Sequence, residues 1–134
     1  MRFLIVEDDL NTSMTLEKMI EKYGKSDIVV SGEEAIEAFK LAWKENKPYA
    51  IIFMDIMLPK IDGQEALFLI REMERSYGIN PSERVKVIMT TALEDPRNVV
   101  EAYNKGDASA YLVKPINRHR LKEEIVKLGY KLDD

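Results

Sequence analysis

The chain has 134 residues, of which 46% are hydrophobic and 33% are charged, and its formal net charge is −4. This length and composition predict one globular domain, and the weak negative charge gives no footprint for binding nucleic acid or an anionic membrane. The absence of cysteine excludes disulfides and thiolate sites. No apolar run approaches a membrane span or a signal peptide, so we expect a cytoplasmic protein without membrane contact.

The chain opens with a predicted strand over 3–6 and a helix over 11–23, which Gly24 is expected to end as the C′ residue. A short strand over 27–30 follows. Ser31-Gly32-Glu33-Glu34 is a capping box and predicts the start of a second helix. We expect the buried stripe of that helix to be Ile36, Phe39 and Trp43.

The most apolar stretch is 49–54, which contains no charged residue and stops abruptly at Asp55. An unbroken run of this length is typical of a strand buried on both faces of a parallel sheet. Pro59 and Asp62-Gly63 then predict a loop, before a third helix over 64–77. We expect the inward residues of this helix to be Ala66, Ile70, Met73 and Tyr77.

The remaining predicted elements are a strand over 85–89, a helix over 95–106, a strand over 110–113 and a final helix capped by Asn117. The helix over 95–106 has an aspartate N-cap, Asp95, with proline at its first position. Strands and helices therefore alternate five times. Such alternation predicts an α/β fold with a parallel sheet and right-handed crossovers, but it does not give the strand order.

Several chemically active side chains directly follow the predicted strands. In a parallel sheet the carboxyl ends of all strands lie at one edge, where ligands bind. The residues at those ends are Asp8, Asp9, Asp55, Thr91 and Lys114. Three carboxylates in one crevice repel each other and call for a cation, and oxygen ligands without histidine or cysteine favour Mg²⁺. A carboxylate can attack phosphorus, while a hydroxyl and an ammonium stabilise the phosphoryl oxygens, so the set is complete for phosphorylation of Asp55.

The order of these motifs, an acidic pair, an aspartate, Thr-Ala and Lys-Pro, resembles the receiver domain of two-component response regulators over essentially the whole chain. The loop DIMLPKIDG is similar to the family's signature loop, with Leu58 where methionine is usual. The resemblance implies a doubly wound (βα)5 fold with a five-stranded parallel sheet in the flavodoxin-like, CheY-like order 2-1-3-4-5. The segment GDASAY, residues 106–111, is one residue longer than is usual in the family, so the path of the chain into the fifth strand is expected to differ there.

The resemblance also implies roles for individual residues. The implied metal ligands are Asp8, Asp9, the phosphoacceptor Asp55 and the backbone carbonyl of Met57. Lys114 is implied to pair with the phosphate, and Thr91 and Tyr111 are implied to move when Asp55 is phosphorylated. The bond before Pro115 is implied to be cis. Tyr111 is equally typical of a half-buried strand residue. Met57 and Leu93, two positions beyond Asp55 and Thr91, would flank the path of the hydrolytic water.

We therefore predict a single receiver domain over 1–134 without an output domain, which is not an enzyme beyond self-phosphorylation and self-dephosphorylation. The expected partners are a histidine kinase or phosphotransfer protein and a downstream protein effector, with a homodimer through the face of the fourth helix, fifth strand and fifth helix left open. One alternative is a phosphatase with an aspartyl nucleophile, but such enzymes generally carry an acid where Met57 stands. A pseudo-receiver that serves only as an interaction module is the other alternative.

Overall fold

The structure is a computed structural model that describes residues 1–92 and 108–132, so the predicted helix over 95–106 lies outside the described residues. The strands are β1 (Arg2–Val6), β2 (Lys25–Val29), β3 (Ile51–Asp55), β4 (Lys86–Thr91) and β5 (Ala110–Val113). The described helices are α1 (Leu10–Ile20), α2 (Gly32–Lys44), α3 (Gly63–Ser76) and α4 (Arg118–Lys127), with a short 3-10 helix at Pro81–Glu83. None of these helices combines the length and the hydropathy that a membrane span requires.

The five strands form one parallel sheet in the order β2-β1-β3-β4-β5. This is the doubly wound, flavodoxin-like order, and the predicted fold class is confirmed. The strand order reverses between β1 and β3, which pair through Phe3 and Ile51 among others. In doubly wound sheets this reversal opens a crevice beyond the carboxyl ends of the strands.

The core lies on both faces of the sheet because the side chains of each buried strand alternate between the faces. Ile51 and Phe53 of β3 pack into one apolar cluster with α1 and α4, whereas Ile52 and Met54 pack into the other with α2 and α3. All five residues of β3 are buried. The central strand is therefore the one that the longest apolar run predicts.

Side-chain caps fix the starts of α2, α3 and α4. The Ser31 hydroxyl oxygen accepts a hydrogen bond from the Glu34 amide at 3.1 Å, and the Glu34 carboxylate accepts one from the Val30 amide at 2.9 Å. The capping box is thus present, with its return bond one residue earlier than usual. Asn117 caps α4, as predicted, by accepting a hydrogen bond from the Arg120 amide at 3.1 Å.

Two local expectations are wrong. Helix α1 ends at Ile20, so Gly24 is not its C′ residue; a Cβ at Gly24 would lie 2.0 Å from the Met1 carbonyl oxygen, and close backbone approach explains the glycine. Tyr77 was expected to face inward, but α3 ends at Ser76 and the Tyr77 side chain is 50% exposed. The inward face of α3 instead includes two charged residues that the apolar pattern does not reveal.

Candidate functional site

Three carboxylates come together at the carboxyl ends of β1 and β3. They belong to Glu7, Asp8 and Asp55, and one oxygen of each lies within 4.8 Å of the others. Glu7 is 3% and Asp55 4% exposed, whereas Asp8 is exposed to solvent. The cluster therefore combines two buried acids with an open side at Asp8.

Asp9 is not a member of this cluster, although the sequence pattern paired it with Asp8. It is the N-cap residue of α1, and its carboxylate accepts a hydrogen bond from the Thr12 hydroxyl at 2.5 Å. That hydrogen bond lowers the pKa of Asp9. Strand β1 ends at Val6, as predicted, and the structure brings Glu7 and Asp8, the first two residues beyond it, next to Asp55. The role of Asp9 as a metal ligand stays a prediction.

The cation of the site is Lys114, which directly follows β5. Its Nζ lies 2.5 Å from a carboxylate oxygen of Glu7 and 3.1 Å from one of Asp55. Its backbone amide donates a hydrogen bond to the Thr91 carbonyl oxygen at 2.7 Å, which fixes the start of the loop against β4. One ammonium is thus shared between two buried carboxylates, and across residues 1–92 and 108–132 the cluster has more negative than positive charge.

The pKa values of the pair reflect this shortage of positive charge. Burial raises the pKa of Glu7 from 4.5 to about 7, although hydrogen bonds from Lys114 and the Asp9 amide oppose the shift. Burial also tends to lower the pKa of Lys114, but the hydrogen bond to Glu7 and the charge of Asp55 outweigh it and raise that pKa. Glu7 therefore holds a proton well above the usual carboxyl range, and a bound cation would displace that proton.

The loop after β3 folds back over Asp55. One Asp55 carboxylate oxygen accepts a hydrogen bond from the Met57 amide at 3.1 Å, and the Met57 side chain is 66% exposed. A Cβ at Gly63 would lie 2.2 Å from the Asp55 carbonyl oxygen, so only glycine permits this close return of the chain. The predicted loop thus holds the Asp55 side chain at the mouth of the crevice.

The predicted switch residues lie on the two neighbouring strands. Thr91 ends β4, is 2% exposed and donates its hydroxyl hydrogen to the Ala92 carbonyl oxygen at 3.0 Å. Tyr111 is half-buried on β5 and packs against the core cluster under α2 and α3. This position is compatible with both interpretations of Tyr111. The Lys114–Pro115 bond is cis, as the resemblance implies, and Leu93 lies outside the described residues.

Sequence reasoning missed Glu7 as a member of the site. The signal was present, because Glu7 is the first acid after the apolar run of β1, and it is followed by two further acids. Three successive acids leave open which two turn into the crevice. The strand end does not decide it, because β1 ends at Val6 as predicted; the structure shows that Glu7 and Asp8 lie next to Asp55.

Comparison with known sequences identifies the family. The model of the response regulator receiver domain matches residues 3–126. Chemotaxis protein CheY of Listeria monocytogenes is 35% identical over 124 residues, which cover 92% of this chain and 95% of CheY. Hybrid signal transduction histidine kinase L of Dictyostelium discoideum is 32% identical over 129 residues, 96% of this chain but 7% of that kinase. The chain therefore spans only a small part of the kinases that it matches.

Solved structures give the same result. The receiver domain of the response regulator Ssk1, in co-crystals with the histidine phosphotransfer protein Ypd1 from Saccharomyces cerevisiae, is similar with a TM-score of 0.81 and 30% identity over 96% of this chain and 88% of that chain. The CheX–CheY–BeF3–Mg complex from Borrelia burgdorferi gives a TM-score of 0.77 and 27% identity over 97% of this chain and 90% of that chain. With the family model matching nearly its whole length, this chain belongs to the response regulator receiver domain family.

Proposed function

We propose that this chain is a phosphorylation-dependent switch in which Asp55 accepts a phosphoryl group in the presence of Mg²⁺. The donor is the phosphohistidine of a histidine kinase or a histidine phosphotransfer protein. The observation that carries the proposal is the buried Asp55 carboxylate, 3.1 Å from the Lys114 ammonium, within the cluster of three acids. The pairing of the Ssk1 receiver domain with a phosphotransfer protein supports the same class of donor.

The chemistry of the cluster fits a hard divalent cation. Glu7, Asp8 and Asp55 offer oxygens within 4.8 Å of each other, and among the described residues only the ammonium of Lys114 pairs with them, which leaves negative charge uncompensated there. These three carboxylates would hold Mg²⁺, and the family resemblance adds the backbone carbonyl of Met57 and, as a prediction still to be tested, the carboxylate of Asp9. When bound, Mg²⁺ neutralises phosphoryl oxygens during transfer.

The protein's own groups would carry out the transfer as follows. A carboxylate oxygen of Asp55 attacks phosphorus and forms an acyl phosphate, while the bond from phosphorus to the donor breaks and its electron pair leaves with the donor. Lys114 lies close enough to Asp55 to move its ammonium onto a phosphoryl oxygen. The Thr91 hydroxyl, which donates to the Ala92 carbonyl, can rotate to donate to another phosphoryl oxygen.

The same movement supplies the output of the switch. Redirecting the Thr91 hydroxyl removes its bond to Ala92 at the end of β4 and leaves space toward Tyr111 on the adjacent strand β5. A local charge event would thus shift a two-state element, the face formed by β5, α4 and the predicted helix over 95–106. We propose that this face binds a downstream protein effector or a second copy of the chain, and not nucleic acid.

Intact-mass spectrometry tests the proposal directly. The chain is incubated with acetyl phosphate with Mg²⁺ or with a chelator, and the added phosphoryl mass is expected only with Mg²⁺. Asp55→Asn should abolish the labelling. Asp62→Asn is the matched control, because asparagine also caps a helix and Asp62 caps α3 in the same loop. Equal labelling of the wild type and Asp55→Asn would reject Asp55 as the acceptor.

A further inference from the structure

A second polar cavity lies at the amino-terminal end of β4, on the edge of the sheet opposite Asp55. Its volume is about 240 Å³, and it is lined by Arg71, Pro81, Arg84, Val85, Lys86 and Ser109. Strand β4 runs from Lys86 at this cavity to Thr91 at the acidic cluster, a path of about 16 Å at the usual rise per residue. No residue is shared between the cavity and the acidic cluster, so the two sites are separate.

The charges that line the cavity are only partly matched. Arg71 is paired with Glu74 at 2.7 Å, and the second Glu74 oxygen accepts a hydrogen bond from the Val85 amide at 2.8 Å. Both oxygens of that carboxylate are therefore used. Across residues 1–92 and 108–132, no carboxylate forms an ion pair with Arg84 or Lys86. Within the part of the chain that the structure describes, the cavity thus has two positive charges, those of Arg84 and Lys86, that no carboxylate pairs with.

The hydrogen-bonding groups of the cavity show the same imbalance. The Nε of Arg84 donates to the Ile79 carbonyl oxygen at 3.3 Å, and in the described part of the chain its two terminal nitrogens meet no acceptor. The Ser109 hydroxyl oxygen accepts a hydrogen bond from the Val87 amide at 3.1 Å, which leaves its own hydrogen to be donated. The cavity therefore presents donors in excess of acceptors.

We propose that this cavity binds a phosphate group as its dianion, held by Arg84, Lys86 and the Ser109 hydroxyl. The two uncompensated positive charges match the charge of a phosphate monoester at neutral pH, about −1.5 to −2, better than the single charge of a carboxylate. A guanidinium donates two parallel hydrogen bonds to adjacent phosphate oxygens, and Lys86 adds a point charge. The cavity is smaller than the ~300 Å³ typical of small-molecule sites, so it suits a phosphate with a short substituent.

Such a phosphate has two sources, a free phosphate compound or a phosphorylated side chain. Both offer the same dianion to Arg84 and Lys86, and they differ in the atoms attached to it. Inorganic phosphate and phosphoserine therefore serve as the two probes. Tighter binding of phosphoserine would assign the site to a phosphorylated side chain, and equal or weaker binding would assign it to free phosphate.

The test is a titration of the metal-free chain followed by the backbone amide signals in NMR spectra, at neutral pH and constant ionic strength. We expect saturable shifts at the amides of Val85, Val87 and Ser109 with inorganic phosphate. The double substitution Arg84→Gln and Lys86→Gln should weaken binding at least tenfold. Lys18→Gln with Lys25→Gln removes the same charge at exposed positions of α1 and β2 and should leave binding unchanged.

Three outcomes would overturn the proposal: shifts that do not saturate, shifts confined to the surroundings of Asp55, or equal binding by wild type and the double variant. If acetate bound as tightly as phosphate, the cavity would not prefer a doubly charged ligand, and the proposal would be contradicted. Lys86→Gln alone guards against a folding defect, because it keeps the bond from Arg84 to Ile79 and is expected to weaken binding severalfold. Since no residue of the cavity belongs to the acidic cluster, failure here would leave the proposed role of Asp55 untouched.

Discussion

Two charged clusters in this protein each contain buried carboxylates but differ in how their charges are matched. In the site, Glu7 and Asp55 share the ammonium of Lys114, and Asp8 adds a third carboxylate. Between α3 and β4, Glu74 instead faces a single cation, Arg71, with side-chain exposures of 0% and 6%. Burial alone therefore does not tell a functional charge from a structural one.

The charges and hydrogen-bonding groups of the Arg71–Glu74 pair are matched by each other and by the backbone of Val85. Each Glu74 oxygen accepts a hydrogen bond, one from Arg71 and one from the Val85 amide, and Arg71 also donates to the Val85 carbonyl oxygen at 2.8 Å. These bonds offset the cost of burying the charges and join α3 to the start of β4. The acidic cluster has no such arrangement, and the pKa of Glu7 is raised, chiefly by burial. The Arg71–Glu74 pair thus links α3 to β4, whereas the acidic cluster brings together carboxylate oxygens of the kind that can bind a cation.

The largest effect is expected when the balanced pair is broken. Glu74→Gln leaves the Arg71 charge buried without a carboxylate, which should lower the free energy of unfolding by about 3–5 kcal/mol. The control is Glu72→Gln on the same helix, because Glu72 pairs with Arg75 at 2.5 Å but both side chains are about half exposed. Urea denaturation of the three proteins measures the difference. A similar loss of unfolding free energy in both variants would show that burial does not determine how much this pair stabilises the fold.

The next effect concerns metal affinity in the unbalanced cluster. Asp8→Asn removes a carboxylate from the cluster and should weaken Mg²⁺ binding about a hundredfold, or ~2.7 kcal/mol. Asp9→Asn, one residue away and bonded to Thr12, should weaken it less than about threefold. Calorimetric titration with Mg²⁺ compares the two. An Asp9 effect as large as that of Asp8 would restore the pair that the sequence pattern indicated.

The sequence was sufficient to predict the positions of the site residues Asp55 and Lys114, each of which lies at the end of a clearly apolar strand. Asp55 ends a run with no charged residue, and Lys114 directly follows β5, so the sheet-edge rule places both correctly. Between β1 and α1 three acids occupy adjacent positions, and periodicity does not decide which of them turn inward. The end of β1 at Val6 was predicted correctly and does not decide it; only the structure shows Glu7 and Asp8 next to Asp55, with Asp9 as the N-cap of α1.

The buried pair of α3 could not be predicted for a different reason. An apolar pattern assigns charged residues to the outer face of a helix, and Arg71 and Glu74 look like any solvated i, i+3 pair. Their burial depends on Val85, which supplies both a backbone donor and a backbone acceptor from beyond the helix. Such a partner is visible only in three dimensions.

A third prediction uses the pKa of Glu7 in the metal-free protein. The folded state holds this proton up to about pH 7, whereas the unfolded chain loses it near the ordinary value of 4.5. Between these two pH values the folded state therefore binds more protons, and the Glu7 contribution to stability falls as the pH rises. Relative to Glu7→Gln, the wild type should lose about 2 kcal/mol of unfolding free energy across this window.

Urea denaturation in the presence of a chelator, at several pH values between 4.5 and 7, measures that difference. Asp9→Asn is the matched control, since Asp9 is an exposed carboxylate whose pKa lies below its usual value. Saturating Mg²⁺ should reduce the pH dependence, because the cation replaces the proton. A constant difference between wild type and Glu7→Gln across the window would contradict the shifted pKa.

The smallest effect concerns the open side of the acidic cluster, where water would reach a phosphoryl group on Asp55. Met57 is held next to Asp55 by its backbone amide, and its side chain is apolar and 66% exposed. An apolar side chain here cannot orient a hydrolytic water, and Leu93 supplies a second one at the position that the resemblance places on the same path. We therefore expect slow self-dephosphorylation, and Met57→Asn with Leu93→Glu should speed it by about tenfold or less, ~1.4 kcal/mol of barrier.

Decay of the phosphorylated chain after removal of the donor measures this rate. Leu41→Asn is the control, because Leu41 is a similarly exposed apolar residue on α2, with 53% exposure. If the wild type decays as fast as the double variant, apolar cover does not protect the phosphoryl group, while the role of Asp55 is unaffected. A double variant that decays faster would show that the polarity of the solvent-exposed side chains sets the rate of dephosphorylation, without any change in the buried charges. The balanced pair of α3 has no such side, since both of its partners are enclosed.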